Sequence, residues 1–532
     1  SRLRVQVTGY VPGVLQGVAG PSSVFFVEDG DEILVPVSSG PNFDPLQSRI
    51  MVPCYEGGPS EGRTGPAFVS FPYEVNGIAE AKGGDQPNPS HDASIEDLGS
   101  TWGVAYQQLQ QRAFTSSLLK RHVGIGPAGL GGLYTINYSS GTPEVNAVSL
   151  QGVVPSVGPA IDLGSVLRET VTGDVDETMP YALTTTDNVA TYDMDAFAKV
   201  GAAGFGDIDL TEDERTLWMV NLNQRSLIEL DVSGEGPIAP STSTVRHYPI
   251  GSLPGLPNLN FRYAMCINVG GNLNGTGAEP FTDANQIAWD KNKYGMGGSS
   301  GYRVFTVGNL LNPTEQTSES LLYHTFKRGD FNYNIPIPAE EMYTVTLHFA
   351  DPNQAHGVGD RIFDIMAEGQ MVAENFDIVA AAGGTRTATT YTFQIAGQGD
   401  KLDLQFVSKQ GNNVKEAILS GIEVVGESVM ESGTLRPWGL TFHHGKGYLG
   451  LVSDATVSKS REHLFGYVVS FNPNDVAAGF TEELAFPLAY PRERASNAHL
   501  TTPQPLRSAE WQAWVNDWES TAILTQQEQL SS

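Results

Sequence analysis

The sequence predicts an all-β protein: a β-propeller of about six or seven blades, interrupted by an inserted β-sandwich and followed by a short C-terminal helix. Three observations carry this. Fifty-nine Gly and 32 Pro are spread along 532 residues as turn punctuation. Long apolar segments of helical period are nearly absent, while short strand-like runs recur throughout. One theme, an apolar strand, a polar turn and a second apolar strand, returns in TWGVAY at 101–106, GFGDIDLTEDERTLWMVN at 204–221 and RPWGLTFHHGKGYLGLV at 436–452.

The length exceeds what one hydrophobic core supports, so several domains are expected. Residues 1–60 read as a β lead-in with short strands at Leu3–Thr8, Ser23–Glu28 and Glu32–Val37. Residues 61–262 form the first part of the propeller, with strands at Ala67–Tyr73, Trp102–Tyr106, Arg112–Leu118, Gly132–Asn137, Asp207–Leu210, Thr216–Asn221 and Ser226–Asp231. The last two flank a short polar loop, which makes them a hairpin, the unit of a blade. Residues 263–428 differ in style and are read as an insertion, after which 429–500 resume the repeat fold. At roughly 40 to 45 residues per blade, the outer segments give the blade number. In the tail, 501–532, Trp511, Trp514, Val515 and Trp518 follow helical spacing and Ser508 is placed as the cap. Glu510, Asp517 and Glu519 would oppose an anionic membrane, so the tryptophans are expected to pack on the protein's own surface.

Lys and Arg total 31 against 60 Asp and Glu, a formal charge of −29. Such a surface repels phosphate backbones, which argues against nucleic acid as a partner. Cys54 and Cys266 allow one bridge at most and no cysteine-based zinc site. No apolar run is long enough to span a membrane as a helix. The chain starts at Ser1 with a strand pattern, and the expectation is a mature exported protein, extracellular or at the cell surface.

The outer segments FVSFPYEV, STWGVAYQQLQQRAFTSSLLKRHVGIGPAGLGGLYTIN, GFGDIDLTEDERTLWMVNLNQRSLIELDV and RPWGLTFHHGKGYLGLVSD resemble the propeller-like portion of large bacterial surface proteins that often carry SdrD-type B repeats. The B repeats themselves do not occur in this sequence. The resemblance implies a bacterial surface protein and brings no established chemistry.

The insertion opens with YAMCINVGGNLNGTGAEPFTDANQIAWDKNKYGMGGSSGY and continues through LLYHTFKRGDFNYNIPIPAEEMYTVTLHFADP, GDRIFDIMAEGQMVAENFDIVAAAGG and KEAILSGIEVV. It resembles the malectin domain throughout. Asn268, Gly270 and Gly271 match the opening motif, and Trp289, Asp290 and Tyr294 the first long loop. Tyr323, Arg328, Phe331 and Tyr333 follow, then His348, Phe349, Phe363, Asp364, Phe376 and Asp377. Val269 stands where the family usually has Ala, and Asp351 where it often has Glu. The resemblance implies a jelly-roll type β-sandwich that binds glucose-type oligosaccharides through loop aromatics and an acidic residue. The residue types suit that chemistry, because aromatic rings accept the C–H face of a pyranose, and Asn and Asp pair with its hydroxyls. Asn268, Trp289, Asp290, Tyr294, Tyr302, Phe331 and Tyr333 are the expected carbohydrate contacts. Phe331 and Tyr333 alternate along a strand, so core packing is the competing role, and Asn268 with Gly270 and Gly271 can simply shape a turn.

Catalytic signatures fail in context. GIGPAG at Gly124–Gly129 fits a dinucleotide glycine pattern, but a strand follows where a helix is required. GGSSG at Gly297–Gly301 fits a nucleophile elbow without its strand-to-helix setting. No catalytic residue and no metal ligand is assigned, and no cofactor is expected. The densest carboxylate run, Asp207, Asp209, Glu212, Asp213 and Glu214, offers oxygens for Ca²⁺, but a solvated turn is the simpler reading. His443 and His444 are adjacent and, in a regular strand, point to opposite faces. Asn137 and Asn274 head glycosylation sequons, which count only in a host that glycosylates them, and such short patterns also arise by chance.

The expected function is therefore carbohydrate binding outside the cell for adhesion or matrix attachment, without enzymatic activity. Oligo- or polysaccharide is the expected partner, with a homo-oligomer or other surface proteins as further candidates. Two alternatives stand beside it: a self-assembling surface-layer or filament subunit, and a polysaccharide-active enzyme whose acids come from different blades.

Overall fold

The structure is a computed structural model that describes residues 2–6, 22–26, 49–73, 75, 77–186, 189, 191–270, 281–282, 287–290, 292–302, 322–409, 416–488, 491–492 and 509–510. The tail helix expected at Trp511–Trp518 lies outside these residues, as does the lead-in strand expected at Glu32–Val37. Arg2–Gln6 and Ser22–Phe26 form an antiparallel pair.

Three four-stranded antiparallel meanders occupy the outer segments. The first is Thr101–Gln107, Arg112–Ser117, Gly132–Asn137 and Glu144–Ser149. The second comprises Phe205–Leu210, Thr216–Asn221, Ser226–Asp231 and Val245–Pro249. The third, Leu435–His443, Lys446–Ser453, Phe465–Phe471 and Phe480–Pro487, follows the insertion. A three-stranded sheet of Arg49–Pro53, Pro66–Pro72 and Ser90–Ser94 precedes them.

These sheets stack face to face. Along Thr216–Asn221, Leu217 and Met219 join a core shared with Ala105, Phe114 and Leu133 of the first meander. Trp218 and Val220, one residue out of step, join a core shared with Leu440, Leu449 and Phe471 of the third. The two-residue period of a strand thus buries both faces of the middle sheet, whereas Phe68 and Ala93 of the three-stranded sheet pack on Ala113, Tyr134 and Ile136 of the first.

Sheet stacking of this kind is what blades do, yet the blade number differs from the expectation. The described residues give three four-stranded meanders and one three-stranded sheet, and no closed ring. The described residues of 150–204, a stretch counted as blade from its length, hold a short parallel pair, Glu169–Val171 with Ala182–Thr184, and the helix Met194–Lys199, with no meander. Their Gly- and Pro-rich start, GVVPSVGPAIDLG, breaks up any longer strand.

The inserted segment holds two large antiparallel sheets and a short antiparallel pair, Phe281–Thr282 with Ala288–Trp289. One has the order Asn260–Asn268, Gly421–Glu431, Met342–Ala350, Ala388–Ala396. The other runs Gly295–Tyr302, Thr325–Pro336, Lys401–Ser408, Ile362–Ala367, Gln370–Asp377, with Ile418–Leu419 added to Thr325–Pro336. Ile267, Val345, Leu347, Phe349 and Val424 of the first meet Phe331, Ile335, Phe363, Leu404 and Phe406 of the second in one apolar cluster. Two sheets sharing one core is the layer relation a sandwich requires. The strands that enter and leave the insertion are direct neighbours, with Asn260 opposite Glu431. Both crossings into the meanders therefore lie side by side, so the segment interrupts the repeat fold without prising it apart.

Candidate carbohydrate-binding corner

The strand Asn260–Asn268 ends in Val269 and Gly270, where the chain turns. Gly270 has φ of 111°, and a Cβ there would lie 2.3 Å from the Phe326 nitrogen, so only glycine fits. The loop returning to this turn is held by backbone pairing. Asn268 N–H donates to the Asp290 carbonyl at 2.8 Å, and Asp290 N–H donates to the Cys266 carbonyl at 2.8 Å. Asn292 adds a side-chain bond to the Gly270 carbonyl at 3.2 Å and accepts from the Tyr333 hydroxyl at 2.7 Å. Asn334 N–H donates to the Tyr294 carbonyl at 3.0 Å. Asn268, Trp289, Asp290, Tyr294 and Tyr333, widely separated in sequence, thus meet at one corner.

They divide by burial. Tyr294 and Asp290 face solvent, and Tyr294 is presented from a left-handed backbone with φ of 65°. Asp290 pairs with Lys293 at 2.5 Å, and the Lys293 ammonium lies 5.1 Å from the centre of the Tyr294 ring. Burial pulls the Lys293 pKa down, but the bond to Asp290 and the neighbouring charges outweigh it and hold the ammonium above its ordinary value. An exposed ring, a carboxylate and an ammonium offer a stacking face with acceptors and donors beside it, which is what a pyranose requires.

Of the remaining predicted contacts, Asn268, Trp289, Phe331 and Tyr333 lie beneath that surface, while the Tyr302 side chain is outside the described residues. Trp289 is 1% exposed and meets His348 edge-on at 5.3 Å. His348 Nδ1 accepts from the Tyr323 hydroxyl at 3.0 Å and its Nε2–H reaches Glu423 at 2.6 Å, which fixes the tautomer. Asn268 is buried and accepts from the Thr325 hydroxyl at 2.9 Å. Phe331 and Tyr333 are both core residues. Phe331 stacks on Phe406 at 4.7 Å, and the Tyr333 ring has no exposed face. In this conformation neither can carry a sugar ring. They are two residues apart, so strand geometry puts them on the same side of the sheet, and that side is the core. Tyr302 ends the strand that pairs with Thr325.

Two residues were missed by sequence reasoning. Lys293 is readable only afterwards, as the residue three beyond Asp290. Lys327 is buried on the core face, its ammonium 5.1 Å from the Tyr333 ring and 5.7 Å from Phe331, and burial lowers its pKa. No spacing signal marks it.

Elsewhere, the carboxylate run at 207–214 is a solvated turn only in part: Glu212 and Asp213 are exposed in the turn, whereas Asp207 and Asp209 lie on the strand before it. Asp209 accepts from Thr441 and Phe442, Glu212 from the N–H groups of His444 and Gly445, and Glu214 from Leu109 N–H. These acids stitch the second meander to its neighbours on both sides. Among the described residues no group of three or more His, Cys, Asp or Glu side chains is placed to hold a metal ion. His444 sits at a turn with φ of 50°, which brings the His443 and His444 rings to 4.0 Å instead of opposite faces. Cys54 and Cys266 are not joined in a disulfide. No helix among the described residues is long and apolar enough to cross a membrane.

Residues 263–424 match the family model of the malectin domain. This segment contains a malectin domain. The match ends before the third meander and does not reach the first two. Receptor-like protein 4 of Arabidopsis thaliana is 30% identical over 136 residues, which are 25% of this chain and 21% of that protein. The chain thus spans about a fifth of the curated relative it matches. The ANX2 ectodomain of Arabidopsis thaliana overlays at a TM-score of 0.28 with 15% identity, covering 39% of this chain and 65% of that one. A plant receptor-like kinase, FER, gives 0.26 and 19%, over 35% and 47%.

Proposed function

We propose that this chain is an extracellular carbohydrate-binding protein. Its malectin domain takes a glucose-type oligosaccharide at the Tyr294 corner, in the service of adhesion or matrix attachment. Malectin-like domains bind carbohydrate, and the family match is the observation that carries the reading. The geometry supports the corner as the place: among the predicted aromatics whose side chains are described, Tyr294 is the exposed one, with Lys293 over one face of its ring and Asp290 paired to Lys293. A sugar ring laid on Tyr294 places its hydroxyls within reach of both charges, while Tyr333, Asn292 and Trp289 keep the corner in shape from below.

A glycan array followed by calorimetry on the full chain tests this. Binding of glucose-containing oligosaccharides that Tyr294→Ala weakens at least about tenfold is expected, since a stacked aromatic anchor carries this much of a small interface. An array without any saccharide signal overturns the reading.

A further inference from the structure

The first strands of the three meanders share a feature that the sequence motif only hinted at. Each has a register break at an aromatic-glycine pair: between Trp102 and Val104 at Gly103, between Phe205 and Ile208 at Gly206, and between Pro437 and Leu440 at Trp438–Gly439. A bulge of this kind turns a side chain out of the regular alternation and is common beside binding sites. The three bulges converge. Gly103, with φ of 66°, lies so near the second meander that a Cβ would be 2.9 Å from Ile208 N and 3.1 Å from the Asp207 carboxylate. A Cβ on Gly206 would lie 2.8 Å from the Trp438 carbonyl.

This packing gathers side chains from three strands at one place. Trp102 is 42% exposed, and its ring centre lies 6.4 Å from that of Trp438 at an angle of 57°. Two rings so inclined form a V rather than a closed stack, with Trp438 half-buried against the core of the third meander. Asp207 comes from the strand between them, anchored by Ile208 N–H at 3.0 Å and approached by Leu440 N–H at 3.4 Å. The Ser116 hydroxyl, donating to the Trp102 carbonyl at 3.0 Å, fixes the backbone under the exposed ring. A large aromatic kept in water by a dedicated bulge, with a second ring and a carboxylate beside it, does not serve the core. Tryptophan at a comparable position in the second meander is replaced by Phe205, which is fully buried.

We propose that the Trp102–Asp207–Trp438 convergence is a second binding site, separate from the malectin domain, and that it takes a neutral pyranose unit of a polysaccharide. The apolar face of the sugar lies on Trp102 in the V, and two vicinal hydroxyls donate to the Asp207 carboxylate. A neutral sugar is specified because the ionisable group that the V presents is an acid, in a chain with a formal charge of −29.

The test uses the full chain carrying Tyr294→Ala, so that the malectin corner is disabled and the two sites report separately. Affinity electrophoresis is run through gels containing hydroxyethylcellulose, soluble starch or galactomannan, with polygalacturonate as the acidic comparison. Retardation by at least one neutral polysaccharide is expected, with none by polygalacturonate. Adding Trp102→Ala should weaken that retardation at least about tenfold, while Trp102→Phe, which keeps a stacking face, retains most of it. Asp207→Asn should weaken it with the retained mobility of a folded chain in gels without polysaccharide. The proposal is overturned if no neutral polysaccharide retards the Tyr294→Ala chain, or if Trp102→Ala leaves the retardation unchanged. Loss of the malectin site alone leaves these outcomes untouched, because the retarded chain already lacks it.

Discussion

The carboxylate of Asp209 accepts a hydrogen bond from the backbone N–H of Phe442 at 2.8 Å, across 233 residues of sequence. The same oxygen accepts from the Thr441 hydroxyl at 2.9 Å. A segment that precedes the malectin domain is thereby tied to one that follows it, and with Glu212 on His444 and Gly445 the tie extends to the turns at the strand ends.

Removing that carboxylate leaves the Phe442 N–H without its acceptor at a half-buried interface. Asp209→Ala is expected to destabilise the meanders by about 1 to 3 kcal/mol, the cost of leaving a buried donor without its acceptor. The malectin domain should be unaffected, since the carboxylate does not touch it. Urea unfolding followed by Trp218 and Trp438 fluorescence, beside a probe within residues 263–424, separates the two effects. A uniform shift of both transitions would contradict the assignment of Asp209 to the meander interface.

Acid should act on the same region through His247. This side chain is fully buried. Its Nδ1–H donates to the Pro159 carbonyl at 2.8 Å, and its Nε2 faces the Ser226 hydroxyl at 2.5 Å. A carbonyl can only accept, so the proton sits on Nδ1 and Nε2 accepts from Ser226. Burial lowers the pKa below the ordinary 6.5, with the Pro159 bond working in the opposite direction. The folded chain thus keeps the ring neutral where the unfolded chain protonates it. The resulting stability is complete above pH 6.5 and declines as the pH falls below that value. Denaturation midpoints measured between pH 8 and pH 5 should fall toward the acid end, and His247→Gln should flatten the slope in that window.

How much of this was legible in the sequence depends on the range of the interaction. The strand-turn-strand theme at 204–221 and 436–452 is local, and both copies fold as hairpins of a meander. The glycine at 270 and the aromatics around it belong to a motif whose spacing survives in the fold. The partners of Asp207, Asp209 and Glu212 lie in a strand and the turn after it on the far side of the insertion, and no local pattern announces them, so the carboxylate run reads as a solvated turn. Phe331 and Tyr333 are a different case, because their pattern does hold the answer. A spacing of two places both rings on one face, and the apolar Ile335 continuing the series marks that face as the core. The blade count failed for a different reason: residues 150–204 have the length of a blade without its alternation.

Tyr333 offers the sharpest separation of shape from contact at the malectin corner. Its hydroxyl donates to Asn292, whose amide group holds the Gly270 carbonyl, while its ring is sealed in the core. Tyr333→Phe deletes one buried hydrogen bond and leaves every exposed atom of Tyr294, Asp290 and Lys293 in place. A stability cost of about 0.5 to 1.5 kcal/mol is expected from the lost bond. If the corner binds saccharide as proposed, affinity should also fall, because Asn292 lies between Asp290 and Tyr294 in the loop and loses its anchor. Tyr294→Ala, by contrast, should remove affinity with the smaller change in stability, since the residue is 37% exposed and is not part of the apolar cluster. Calorimetry with an oligosaccharide drawn from the array, paired with urea denaturation of each variant, distinguishes the two roles. Equal loss of stability in both variants would place Tyr294 in the fold instead of at the sugar.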